Sequence, residues 1–396
     1  MFIPAAPSFR KLLFTLMLGN LPVQAQSDPN RPVATSAALP LADSAAAMKV
    51  PEGFSVEPIV GEPDVVQPIA YTLDDRGRIW VVENTNYPNC PGEAKDRVLV
   101  LESTNNDGKF DKKTVFWDKA TFTSGLAVGF GGVWLGSPPN LLFIPDRNGD
   151  AVPDGEPQIV LDGWGNHDTH ETFNNFIWGP DGWLYGTQGI FTESHVGKPG
   201  STPAGRVSIN AGVWRYHPAK KLFERWAEGV SNQWGLDWND QGEAFFAACV
   251  ISHMWHGIQG AHYERQAGKH DNPHLYEDIQ TIAWGRYEKA AYCGGMIYLG
   301  GAFPEEWRNR FFFHDIHMNK MRCEELVRDG SGYRSVRKPE LLSTTDAWFR
   351  GLSPQYGPDG GVFFNDWYDK VPCHQQKEFT DRSNGRIYKI VNKAVE

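Results

Sequence analysis

One unit recurs six times along this chain: an apolar strand, a turn built on Gly or Asp-Gly, and an aromatic-rich strand ending in polar residues. The copies are Ile69–Glu83, Gly125–Gly136, Phe176–Gly186, Gly235–Ala247, Gly295–Phe313 and Leu352–Phe364, and they start about 50 to 60 residues apart. Asp-Gly supplies the positive φ of a tight hairpin, and a preceding Gly-Pro sets its entry. One such unit cannot bury both of its apolar faces, so the six must pack side by side and close into a ring. The chain is therefore expected to be all-β, a six-bladed β-propeller with four strands per blade and generous loops. Gly53–Pro58 and Gly385–Ile390 are expected to share a blade and close the ring.

The N-terminus carries Arg10 and Lys11, an apolar run from Leu12 to Leu21, and then Val23-Gln24-Ala25. These are the three parts of a secretory signal, cleaved after Ala25, and they imply a periplasmic or extracellular protein; a retained N-terminal anchor is the alternative. Residues 26–48, rich in Ser, Ala and Pro, read as a disordered leader, with the propeller spanning residues 49–396. No later segment has the roughly 18 to 20 apolar residues of a membrane span, so a soluble mature chain is expected. A net charge of −10 with no basic run argues against nucleic acid as a partner and suits a small polar ligand. The five cysteines form no C-x-x-C pair; an oxidising compartment would allow one or two disulfides.

All twelve histidines lie between His167 and His374, and six of them form pairs spaced His-x-x-His: His167 with His170, His253 with His256, and His314 with His317. Two pairs follow an aromatic strand and one precedes one, which in a ring places all three toward the axis. Residues three apart on a strand face opposite ways, so each pair can offer one histidine, as a base or a transition-metal ligand. The plainer alternative is that these side chains only bond neighbouring blades. A second motif, Asp146, Asn148, Asp150 and Asp154, spaces oxygen side chains like a short calcium loop, and Asn106–Asp111 is a weaker copy. Neither has the terminal Glu of an EF-hand, and an Asx-rich turn reads equally well. The absence of a P-loop, a G-x-S-x-G elbow and a dinucleotide fingerprint argues against phosphoryl transfer, serine hydrolysis and nicotinamide chemistry.

From Pro51 to Ile390 the chain resembles the glucose/sorbosone dehydrogenase-like propellers, particularly a secreted bacterial branch of that family. The resemblance is carried by Trp178–Gly186, by Gly300–Pro304 ahead of Phe311–His317, and by Phe349-Arg350 leading to Gly357–Gly360 and Asn365–Trp367. It implies pyrroloquinoline quinone lying across the axis over calcium, and a histidine base matching His170, with His167 one residue-register away. Arg350 and Asn232 match cofactor contacts. Ser231-Asn232 stands where the family has Arg-Asn, and His317 where it has a lysine, which should weaken binding of a tricarboxylate.

Two enzymatic readings follow. One is a quinone-dependent oxidoreductase for sugars or other polyols, handing electrons to a separate acceptor protein, since no haem motif is present. The other is a metal-assisted carbohydrate lyase or hydrolase in which one histidine from each pair holds a transition metal, with His253, His256 and His314 as candidate ligands. A third, non-catalytic reading is a carbohydrate-binding propeller whose 15 tryptophans supply stacking faces.

Overall fold

A computed structural model describes residues 33–90, 92–105, 107–271, 277–287, 291–373 and 377–395. The expected signal, the start of the expected leader and Asn106 lie outside the described residues. Six antiparallel sheets form, each opening on an inner strand: β1 Pro68–Leu73, β2 Gly125–Gly129, β3 Asn174–Trp178, β4 Asn232–Trp238, β5 Tyr292–Ile297 and β6 Gly351–Tyr356. Each inner strand contacts the next, and β6 contacts β1, so the sheets are blades of a closed six-bladed β-propeller.

The alternation of side chains along the strands explains why the ring closes. Phe311 and Phe313 enter the apolar cluster between blades 4 and 5, while Phe312 between them enters the one between blades 5 and 6. Leu184 likewise packs toward blade 2, and Trp183 and Tyr185 toward blade 4. Phe363 faces blade 1 and Phe364 faces blade 5. Every junction thus holds its own cluster fed by both neighbours, as a period of two demands when a strand is buried on both faces. The turns that return each inner strand use the expected residues. Gly182 and Gly360 sit at φ 77° and 79°, beyond the reach of most side chains, and Asp359 Oδ1 accepts from Gly361 N at 3.0 Å.

The ring is fastened as the sequence suggests: Phe54–Gly61 pairs with Arg386–Asn392, from Phe54 opposite Asn392 to Gly61 opposite Arg386. Two details differ from a regular four-stranded plan. Among the described residues blade 4 has three strands, because His262–Arg265 runs parallel to Leu222–Val230 and extends blade 3 to five. Blade 5 gains Met48–Lys49 beside Thr344 and Ser343.

That last pairing corrects the expected leader. Residues 33–48 lie along blades 5 and 6, including a short helix α1 (Leu41–Ala46). Ala34 N donates to Lys370 O at 3.0 Å, Trp348 Nε1 to Ser36 O at 2.9 Å, Leu39 N to Tyr368 Oη at 2.8 Å, and Ser44 Oγ to Asp346 Oδ2 at 2.7 Å. The segment has little apolar periodicity because it is held mainly through backbone groups on polar and aromatic side chains, with Ala34, Ala45 and Met48 buried beneath.

Candidate active site at the axial face

The inner strands all run from one face of the disc to the other, starting beside the loops that carry His170, Ser231 and Arg350 and ending at the Gly turns. The expected calcium loop lies on the turn face: Arg76, in the first blade's turn, donates to Gly149 O at 2.8 Å. Within that loop Asp146 accepts from Asp150 N and Ala151 N, Asp150 from Val152 N, and Asp154 from Arg147 N, so it is built as Asx turns. Among the described residues, only two trios of His, Cys, Asp or Glu place ligand atoms within 4.8 Å of one another, and Asp146, Asp150 and Asp154 form neither.

The histidine pairs separate. His253 is buried between blades 4 and 5, where its Nε2 lies 2.5 Å from Glu324 Oε1. His256 stacks on Phe245 and meets Tyr333 edge-on farther along the same junction. His314 packs on Phe349 and Phe364 on the opposite side of blade 5, and burial holds its pKa down at about 3. These three therefore do not meet at one ion: neighbouring strand positions such as Phe313 and His314 face different junctions. His317 is half-buried in the loop after blade 5's second strand, and His167 is exposed.

His170 is placed differently. It ends the loop ahead of β3, its Nδ1 contacts the Asp168 carboxylate, and its Nε2 lies 3.7 Å from Glu171 Oε1. The loop after Gln188 clamps this segment: Thr192 Oγ1 donates to Asp168 O at 2.9 Å, and Phe191 N to Glu171 Oε2 at 2.5 Å. Burial pushes the Glu171 carboxyl up to about 7, against the opposing pull of His170. Neither acid was singled out from the sequence, although Asp168 lies inside the His167–His170 pair and Glu171 beside it.

Beneath His170 an apolar layer from the first halves of the inner strands packs across the axis, with Ile69, Tyr87, Trp234, Leu352 and Trp367 among its members. Trp234 Nε1 donates to His170 O at 3.0 Å, and the same residue lines an axial cavity of about 360 Å³ in the second halves of the strands. Asp237, Tyr71 and Asn175 also line that cavity. Burial pushes Asp237 up to about 7, although its carboxylate accepts from Ile297 N at 2.6 Å. Near the axial face, Cys249 Sγ donates to Tyr292 O at 3.0 Å and neighbours the Cys293 thiol, which with burial pushes its pKa up. Cys90, Cys249, Cys293 and Cys323 are thiols in this structure.

A tricarboxylate cofactor would need cations, and the cations here are otherwise engaged. Arg350 donates to Phe349 O at 2.6 Å, Asn319 Oδ1 at 3.3 Å and Lys370 O at 3.2 Å, and Asp366, Asp369 and Asp346 surround its charge. Only its buried Nε lacks a hydrogen-bond partner. Asn232 offers a buried, unpartnered Oδ1 and carries no positive charge. The residues present therefore suit a neutral polar ligand and do not fit pyrroloquinoline quinone held by cations.

A family model described as a domain of unknown function, DUF7133, matches residues 40–394. The chain belongs to the DUF7133 family. No curated protein matches it. Among solved structures, this DUF7133 chain is similar to an oxidoreductase (glucose dehydrogenase) from Thermus thermophilus, with 16% identity, TM-score 0.57, and 85% of this chain and 100% of that one covered. It is also similar to the PQQ-bound form of an aldose sugar dehydrogenase from Streptomyces coelicolor, with 12% identity, TM-score 0.53, and 86% and 100% covered. A further glucose dehydrogenase gives 14% identity and TM-score 0.54 over 85% of this chain and 98% of that one. At these identities the likeness shows that the DUF7133 propeller shares the sugar dehydrogenase fold.

Proposed function

We propose that this protein is an exported oxidoreductase acting on neutral polyols, with carbohydrates as the substrate class, at the axial face around His170. The observation that carries this reading is His170 held between Asp168 and Glu171 above an aromatic layer. Asp168 fixes the imidazole through Nδ1, leaving Nε2 as the base that takes a substrate hydroxyl proton. The imidazolium then formed lies between two acidic groups that stabilise its charge. Trp234, Trp367 and Tyr87 offer faces for the apolar side of a sugar ring. The hydride leaving the same carbon would pass to a two-electron acceptor of the quinone or dye class, which the assay supplies, and from there its electrons would go to a separate partner protein.

Purified protein is assayed for dye reduction with a panel of aldoses and polyols, with and without added pyrroloquinoline quinone and calcium. Sugar-dependent reduction lost in His170→Ala is expected, and no reduction with any member of the panel would remove the reading. A metal-assisted carbohydrate lyase or hydrolase is the second reading. It is favoured by Asp168, His170 and Glu171 offering ligand atoms within 4.8 Å of one another. Cleavage products without dye reduction would select it.

A further inference from the structure

Away from the axis, where the strand borrowed from the fourth repeat joins blade 3, Glu228 lies opposite His262 in parallel register. Only 3% of the Glu228 side chain is exposed, and it collects nitrogen neighbours from three directions. His270 Nδ1 is 3.2 Å from its Oε1, His262 Nδ1 is 4.0 Å from its Oε2, and Arg225 Nη2 is 3.1 Å from its Oε2. The His262 and His270 rings lie 5.0 Å apart. His262 Nδ1 is buried without a hydrogen-bond partner, and neither Glu228 Oε2 nor His270 Nε2 makes an aligned bond.

We propose that Glu228, His262 and His270 form a binding site for a divalent transition metal ion of the Zn²⁺ class. Two imidazoles and one carboxylate are a donor set such ions favour, and donors around a tetrahedral ion at bonds of about 2.0 to 2.1 Å stand about 3.4 Å apart. The separations of 3.2 and 4.0 Å bracket that value. Outer contacts of the kind that orient metal ligands are also in place. His270 Nε2 lies 3.0 Å from Asp278 Oδ1, the carboxylate that a ligating histidine addresses with its other nitrogen. Asp271 N donates to Glu228 Oε1 at 2.7 Å, and Arg225 ties Glu228 to Asp271. The ion would join three segments, the outer strand of blade 3, the borrowed strand and the connection toward blade 5, and so complete an edge where blade 4 gives up its own fourth strand.

The test uses the full purified chain, stripped with chelator and titrated with Zn²⁺, then with Co²⁺ read by its visible absorption. One equivalent of Zn²⁺ is expected, with a tetrahedral Co²⁺ band. His270→Ala should weaken Zn²⁺ binding at least about tenfold and abolish the band, and Asp278→Asn should weaken it about tenfold. His170→Ala should leave that equivalent in place, which separates this site from the axial one and makes the result independent of the sugar assay. If His270→Ala does not fold, by circular dichroism, His262→Gln replaces it. Failure of the stripped protein to bind Zn²⁺, or equal binding by the histidine variants, overturns the proposal.

Discussion

His253 Nε2 and Glu324 Oε1 lie 2.5 Å apart in full burial between the fourth and fifth blades. The hydroxyl of Tyr287 donates to the same oxygen at 2.9 Å. Although burial pushes the Glu324 carboxyl up, His253 and these hydrogen bonds outweigh it and hold it below the usual value. Removing one partner strands the other without water. Glu324→Ala is therefore expected to cost about 3 to 5 kcal/mol in urea unfolding, and a loss below about 1 kcal/mol would show that the pair does not hold the junction.

His170 is half-buried, and on the proposed reading it acts as a base rather than in blade packing. His170→Ala should lower sugar-dependent dye reduction at least about 100-fold with an unchanged unfolding midpoint. Asp168→Asn, which keeps the shape but loses the orienting charge, should lower kcat more than it raises KM. Wild-type rates in both variants would take the dyad out of the reaction.

Asp237 makes stability depend on pH in a direction opposite to that of most paired carboxylates. Its folded pKa of about 7 lies above the ordinary 3.8 because of burial, so between these values the folded protein holds a proton that the unfolded chain has released. The group's contribution therefore falls as pH rises from about 4 to 7 and levels off above. Asp237→Asn should gain relative to wild type as pH is raised from 5 to 8, by about 2 to 3 kcal/mol, read as the difference between unfolding midpoints. A difference independent of pH would contradict the assignment.

Residues 33–49 can be removed with the backbone pairing of Phe54–Gly61 and Arg386–Asn392 left intact, although α1 packs against Phe54–Gly61. Their loss uncovers Trp348 and Tyr368 and takes Ser44 from Asp346. The shortened chain should keep its near-ultraviolet circular dichroism but unfold at lower denaturant, by about 2 to 4 kcal/mol from the apolar area exposed. An unchanged midpoint would mean the segment only decorates the ring.

The propeller was legible because its signals are local. A Gly turn between an apolar and an aromatic strand repeats six times, and alternation of residues such as Phe311, Phe312 and Phe313 dictates a neighbour on each side. The histidines show where that reasoning stops. His253, His314 and His170 share the same spacing to a partner, but one residue of strand register sends His253 and His314 into separate junctions, while His170 precedes its strand in a loop. Glu228, His262 and His270 were not visible, since a parallel strand exchanged between neighbouring blades carries no turn signature and the three are far apart in sequence. The acidic loop stayed open to two readings for a related reason: Asp and Asn at alternate positions satisfy their own backbone as readily as they surround a cation.

The seam in the last blade sets the order in which the molecule can be completed. Because Arg386–Asn392 bonds Phe54–Gly61 on one side and Val362–Asp366 on the other, a chain lacking that strand has five finished blades and an open edge. A chain cut before Arg386 therefore leaves Phe54–Gly61 and Val362–Asp366 with unpaired edges prone to self-association.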